Sequence, residues 1–349
     1  MVVGEDGVLP LPWIEPTLRQ ALALQRGPAL LLHASAGAGA LPLTVALAQA
    51  WLCEQEPAVT APPCGRCPSC RLVQARTHPD LMLLLPEELA LAVGWPADID
   101  EKRKPSRQLR VEQVRRAQDW VVTTRARSRA KVLALHPATA LNAVSASSLL
   151  KTIEEPPEGV RIVLTASDPA RLLPTILSRC QRLALPVPAQ AAAEAWLAAQ
   201  GVGDAAVMLA SAGGLPLEAL RWHEAGMTAA AWRALPQAVA DGRVEAFEGW
   251  PVSRVVDALL KLCHDALVRQ AGGATRFFPA QAMTASAASA APGALAAWLR
   301  RLQRVSAQAE HPWLEGLAVE ALVIEGSQAL AGRSNTPRDR RAAFATLAR

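Results

Sequence analysis

The sequence contains no tyrosine and only 4 phenylalanines, and aromatic residues make up 4% of it. Tryptophan, at 10 residues, does not share the shortage, so the missing tyrosine reads as compositional bias without functional content. The scarcity matters in one place. The basic run Arg125, Arg127, Arg129 and Lys131 has no aromatic residue between its charges, which gives bases nothing to stack on. That run is either a solvated face or a contact to a DNA backbone or a partner. A basic-then-apolar leader is also missing, since Glu5 and Asp6 stand near the start. Nor does any stretch read as a membrane span. Residues 27–53 are long and uncharged, but His33, Gly37, Gly39 and Pro42 interrupt them, as a strand, a glycine loop and a buried helix would. Residues 277–299 are rich in Ala and Ser, are broken by Pro279 and Pro292, and read as a loop or linker. The expectation is a cytosolic protein.

Hydrophobic residues make up 51% of the 349 and charged residues 19%, which excludes a disordered chain. That length suits two or three domains, each with its own core. The formal net charge of +5 permits contact with nucleic acid or an acidic partner without demanding it.

Apolar runs predict strands at 29–32, 81–85, 131–135, 162–166 and 182–185. Helical spacing predicts helices at 17–26, 42–53, 111–122 and 141–154. Strands alternating with helices predict an α/β fold, a mostly parallel sheet covered on both faces. After Pro186-Val187-Pro188 the strand signal disappears. Three short helices are expected at 189–200, 205–212 and 217–223, then longer ones at 230–240, 252–270, 295–308 and 314–330. The charged segment 98–108 is expected to be an exposed loop, and the basic tail 333–349 a solvated end.

A strand, a glycine-rich turn and a helix form the frame of a P-loop, whose backbone N–H groups cradle phosphate. A working loop also needs Lys for the β- and γ-phosphates and Ser or Thr for Mg²⁺. Here Gly37 and Gly39 are kept, but Ala40 and Leu41 stand where those residues belong. The acidic Mg²⁺ ligand belongs at the end of the third strand, which reads Leu133-Ala134-Leu135-His136-Pro137. Both losses argue against ATP hydrolysis at this loop.

Cys64, Cys67 and Cys70 are spaced as C-x₂-C-x₂-C, and Cys53 ends the preceding predicted helix, able to fold back as a fourth ligand. Four thiolates suit a closed, structural zinc site. An iron–sulfur cluster and free thiols are the rivals. The bacterial cluster motif needs a further Cys at position 74, where Gln74 stands. Cys180 and Cys263 are expected to be buried small residues.

The run Leu149-Leu150-Lys151-Thr152-Ile153-Glu154-Glu155-Pro156-Pro157, the triplet Ser178-Arg179-Cys180, the four-cysteine insertion and Thr77-His78-Pro79-Asp80 together resemble bacterial DNA polymerase III clamp-loader proteins of the AAA+ class. The degenerate glycine loop narrows the likeness to the member that does not hydrolyse ATP itself. The resemblance is specific over residues 30–185 and architectural beyond. It implies a RecA-like AAA+ domain carrying the zinc module (1–186), a small helical lid (187–227) and an all-α collar (228–349) that joins subunits in a ring. The implied partners are gamma/tau ATPase subunits, the delta subunit, the sliding clamp and primed DNA. Arg179 is the residue that would reach the ATP of an adjacent subunit, flanked by Ser178 and Cys180. Taken alone, Arg179 could instead pair with a local carboxylate such as Asp168. Glu154 and Glu155 read as structural or interfacial, and Lys151 belongs to the interface helix. Two departures stand out. Gly213-Gly214-Leu215-Pro216 lacks the nucleotide-sensing arginine of active members, and the charged insert around Glu101–Lys104 has no counterpart. An active gamma-type ATPase and a free-standing zinc-dependent nucleic-acid binder are the rival readings.

Overall fold

Leucine, valine and isoleucine runs in the first half of the chain form strands that are buried on both faces, as parallel sheets require. In the computed structural model the described residues are 2–24, 29–55, 61–97, 99, 103–127, 130–283, 290–307 and 315–331. Arg129, Glu101, Lys102 and the basic tail lie outside them. The chain divides into two compact units, Met1–Ala189 and Gln190–Arg349.

The first unit holds a five-stranded sheet ordered β2-β3-β4-β1-β5, with strands β1 Ala29–Ala34, β2 Leu81–Leu84, β3 Lys131–Leu135, β4 Val160–Ala166 and β5 Cys180–Leu185. All four pairings are parallel. The helices are α1 Glu15–Leu24, α2 Ala40–Leu52, α3 Pro68–Gln74, α4 Glu87–Ala92, α5 Val111–Val121, α6 Ala143–Glu154 and α7 Pro174–Leu177. Helix α2 is apolar nearly all round and correspondingly buried. Helix α6 begins at Ala143 because the side chain of Asn142 accepts the backbone N–H of Ser145 at 2.8 Å and caps it. Its end is set by Pro156, which pushes Glu155 out of helical backbone geometry, to φ −130° and ψ 67°.

Several expectations are corrected by packing. Helices α3 and α4 were not expected, because seven and six residues are too few for periodicity to show. Lys131 is no solvated cation. Every residue of β3 is buried, and the Lys131 ammonium donates to the carbonyl of Thr123 at 2.9 Å and lies 4.4 Å from the Trp120 ring centre. The described part of the charged insert, 103–108, is the expected loop, mostly exposed but anchored by ion pairs. The buried Glu87 pairs with Arg103 and Arg110 at 3.2 and 3.1 Å, and Glu88 pairs with Arg107 at 2.6 Å.

The second unit is helical throughout its described residues: α8 Gln190–Ala199, α9 Ala205–Ser211, α10 Pro216–Glu224, α11 Ala229–Ala240, α12 Val252–Gln270, α13 Pro292–Ala307 and α14 Glu315–Leu330. The segment expected to run as a loop to Leu299 turns helical at Pro292, since proline fits the first helical position as well as it breaks a later one. Leu197, Met208 and Trp222 share one hydrophobic cluster with Trp232, Leu259 and Leu302. At its centre Trp232 stacks on Phe278, with ring centres 4.5 Å apart. Among the described residues, no helix is long and apolar enough to cross a membrane.

Asp265 fixes the chain beyond α12. Fully buried, its carboxylate accepts the backbone N–H groups of Arg276, Phe277 and Phe278 at 3.0, 2.8 and 2.8 Å. Asp265→Ala would strand those donors and should lower stability by about 3 kcal/mol. Urea unfolding reads this directly, and an unmoved midpoint would show that the carboxylate is dispensable.

Candidate functional site

Three features of the first unit carry chemistry. The first is the glycine loop between β1 and α2. Gly37 and Gly39 take φ of 85° and 111°, a conformation glycine supplies without strain. The second half of the loop is covered from within the chain, while Ser35 and Ala36 stay exposed. The indole N–H of Trp13 donates to the carbonyl of Ala38 at 2.7 Å, and a Cβ on Gly39 would lie 2.6 Å from Leu11 Cδ1. Leu41, where a Mg²⁺-binding hydroxyl would stand, is buried. At the end of β3, in place of an acidic ligand, His136 Nδ1 lies 2.7 Å from the Thr165 hydroxyl. Burial alone holds its imidazole down to about 4.

The second feature is the cysteine cluster. The Sγ atoms of Cys53, Cys64, Cys67 and Cys70 all lie within 4.8 Å of one another. Cys64–Cys70 and Cys53–Cys67 are each 3.9 Å apart. A tetrahedron of thiolates at about 2.3 Å from a zinc ion has edges of about 3.8 Å, so the spacing fits such an ion. The backbone N–H groups of Cys67 and Cys70 point at the sulfurs of Cys64 and Cys67, each at 3.4 Å. Burial pushes the Cys53 and Cys70 thiols up. Burial acts on Cys64 the same way, but the backbone groups of Arg66 and Cys67 outweigh it and bring that thiol to about 7. A divalent cation would remove the cost of gathering four thiolates in one buried place.

The cluster is joined to the sheet. Glu54 accepts the Ser69 hydroxyl at 2.7 Å and pairs with Arg127 at 3.1 Å. The backbone N–H groups of Ala126 and Arg127 donate to the buried Asp80 carboxylate at 2.8 Å each. Asp80 is thus a structural residue at the start of β2, and Arg127 is already paired.

The third feature is Arg179. It stands between α7 and β5, where Ala29 pairs with Cys180 and Ala34 with Leu185. Arg179 therefore lies beside the start of β1, and the glycine loop follows its end, about 17 Å of extended strand away. Its Nε lies 2.7 Å from Glu154 Oε1, and its Nη1 donates to the Thr175 carbonyl and the Ser178 hydroxyl at 3.1 Å each. Both side chains of the pair stay part-exposed, at 38% and 42%. The local carboxylate is Glu154, not Asp168, which caps its own turn by accepting the Ala170 N–H. The two neighbouring glutamates differ: Glu154 pairs with Arg179, whereas Glu155 ends α6 as its C-cap. Cys180 and Cys263 are buried, as expected.

Residues 16–189 match the family described as DNA polymerase III, delta subunit. Through these residues the chain belongs to that family. It is 39% identical over 207 residues to DNA polymerase III subunit delta' of Pseudomonas aeruginosa, a match covering 58% of each chain. It is 36% identical over 190 residues to subunit delta' of Yersinia pestis, covering 53% of this chain and 51% of that one. The matches thus span little more than half of these relatives' length. A solved gamma subunit-related protein from Thermotoga maritima is similar in fold, with a TM-score of 0.50 and 14% identity, covering 90% of this chain and 99% of that one. Together with the parallel sheet, this likeness fits a RecA-like AAA+ fold.

Sequence reasoning about this delta-family chain missed Trp13 over the loop, the His136–Thr165 pair and the Glu154–Arg179 pair. Each joins segments distant in sequence, and only a resemblance to a solved pattern could have signalled them.

His136 makes stability depend on pH. The unfolded chain takes up a proton near pH 6.5, whereas the folded one refuses it until about 4. The contribution is therefore complete above pH 6.5 and is lost as pH falls towards 4. By about pH 5 the loss reaches about 2 kcal/mol. Urea unfolding at about pH 7 and about pH 5 should show this loss in the wild type and a smaller one in His136→Gln. Equal losses would refute the assignment.

Proposed function

We propose that this chain is a non-hydrolysing clamp-loader subunit of the delta' kind. It helps place a sliding clamp on primed DNA and supplies Arg179 in trans to ATP bound by a neighbouring gamma/tau subunit. One observation carries the reading: Arg179 lies beside the start of β1, away from its own glycine loop. No single side chain bridges that length, so a phosphate met by Arg179 belongs to another chain. The half-covered loop, without Lys, without Ser/Thr at position 41 and without an acidic partner, supports the same division of labour. So do the delta' relatives.

Arginine suits the task. Its planar fork can stabilise charge spread over the γ-phosphate oxygens, and its charge persists at any physiological pH. In related NTPases such a residue is worth on the order of 10³–10⁵ in rate. On this reading the first unit is a RecA-like AAA+ domain. The helices to residue 227 form the lid and those beyond it the collar that joins a ring containing gamma/tau and delta. Zinc holds the cysteine module closed. Four protein ligands leave no open position, so its role is structural.

The test is reconstitution with gamma/tau, delta and the clamp. Arg179→Ala should leave folding and ring assembly intact and slow hydrolysis at the adjoining site by on the order of 10³-fold, visible as a partial loss of the complex's ATPase rate. An unchanged rate in an assembled ring would sink the trans assignment. For the cysteines, metal analysis of the purified chain should find one zinc, and Cys70→Ser should lower both zinc content and melting temperature. Iron, or no metal at all, would overturn that part.

A further inference from the structure

We infer that Glu154 is a positioning residue for Arg179, orienting its guanidinium towards the neighbouring subunit's phosphate; the inference rests on the trans role proposed for Arg179. An arginine between a short helix and a strand has a long, freely rotating side chain, and an unrestrained fork would meet its target in many wrong orientations. Here the rear of the fork is occupied. Glu154 Oε1 forms an ion pair with Nε at 2.7 Å, while the Thr175 carbonyl and the Ser178 hydroxyl accept from Nη1 at 3.1 Å each. Nη2 has no hydrogen-bond partner among the described residues, so it is the nitrogen left to donate outwards.

The carboxylate is itself held in place. Glu154 is the last residue of α6, and its neighbour Ile153 is fully buried. Ile176 of α7 is buried in the same hydrophobic cluster as Ile153 and Leu149. The Arg179 backbone N–H closes the turn onto the Ile176 carbonyl at 3.1 Å. Donor and acceptor therefore sit on two elements locked to one core. The prolines after Glu155 end the helix at the point where the last glutamate faces Arg179. The pair is part-exposed and contributes little to folding, so its value lies in orientation, where small misplacements cost rate.

The test uses the reconstituted complex with Arg179→Ala, Glu154→Ala and Glu154→Gln. With assembly confirmed, Glu154→Ala should lower kcat at the adjoining site by about tenfold while KM for ATP stays near the wild-type value. Glu154→Gln should recover part of that loss, because its amide oxygen keeps a partial negative charge beside Nε. The melting temperature of the isolated chain should not move with either variant. If Arg179→Ala slows hydrolysis and Glu154→Ala does not, the positioning role is overturned and the trans arginine stands. If Arg179→Ala itself has no effect, both fall.

Discussion

The pairing of Ala29 with both Ile162 and Cys180 is the constraint on which the chemistry of this chain depends. It places β1 between β4 and β5 and sets all three running the same way. In a parallel sheet, whatever follows a strand appears at the C-terminal ends of the strands and whatever precedes one at their N-terminal ends. The glycine loop follows β1 and Arg179 precedes β5, so the register alone puts them at opposite ends of the strands. No surface substitution could bring them together without breaking the sheet. A chain built this way can hold a phosphate at one end of its strands or offer an arginine at the other, but it cannot do both to one nucleotide.

On the proposed reading, the first of those capacities has given way to packing. A loop that keeps its glycines keeps its backbone path, because φ values near 85° and 111° are hard to obtain otherwise. The groups that would act on a phosphate have been replaced by apolar ones or satisfied internally. Trp13 bonds the Ala38 carbonyl, Leu11 covers Gly39, and His136 meets Thr165 at the end of β3. A half-buried, neutral imidazole beside a hydroxyl cannot replace a carboxylate facing Mg²⁺. The loop and the end of β3 are thus bound into their own chain by these contacts.

Much of this was legible in the sequence, for identifiable reasons. Strands buried on both faces cannot hide, and the Leu, Val and Ile runs of β1, β3 and β4 announced them. The glycine loop, the missing Lys and the cysteine spacing are local, and each could be read residue by residue. What could not be read depends on meetings between distant segments. Lys131 looked like one more cation in a basic run until Trp120 and Thr123 enclosed it. Glu154 and Glu155 looked equivalent until the helix end fixed which one faces Arg179. Helices of six or seven residues leave too short a trace for periodicity to find.

The cysteine cluster shows why such meetings matter for stability at the sheet's edge. Strand β2 has a neighbour on one side only, and edge strands are where a sheet is most easily opened. Its start is held by Asp80, whose carboxylate collects the backbone N–H groups of Ala126 and Arg127. The Arg127 side chain then reaches Glu54, which also binds Ser69 and sends its own backbone N–H to Cys67 Sγ at 3.5 Å. A metal held by the four sulfurs would therefore close one continuous network from α2 through the cysteine turn to the edge of the sheet. On the proposed reading, zinc at this closed site would fasten the edge strand, and the opposite part of the sheet would present Arg179 from a rigid base.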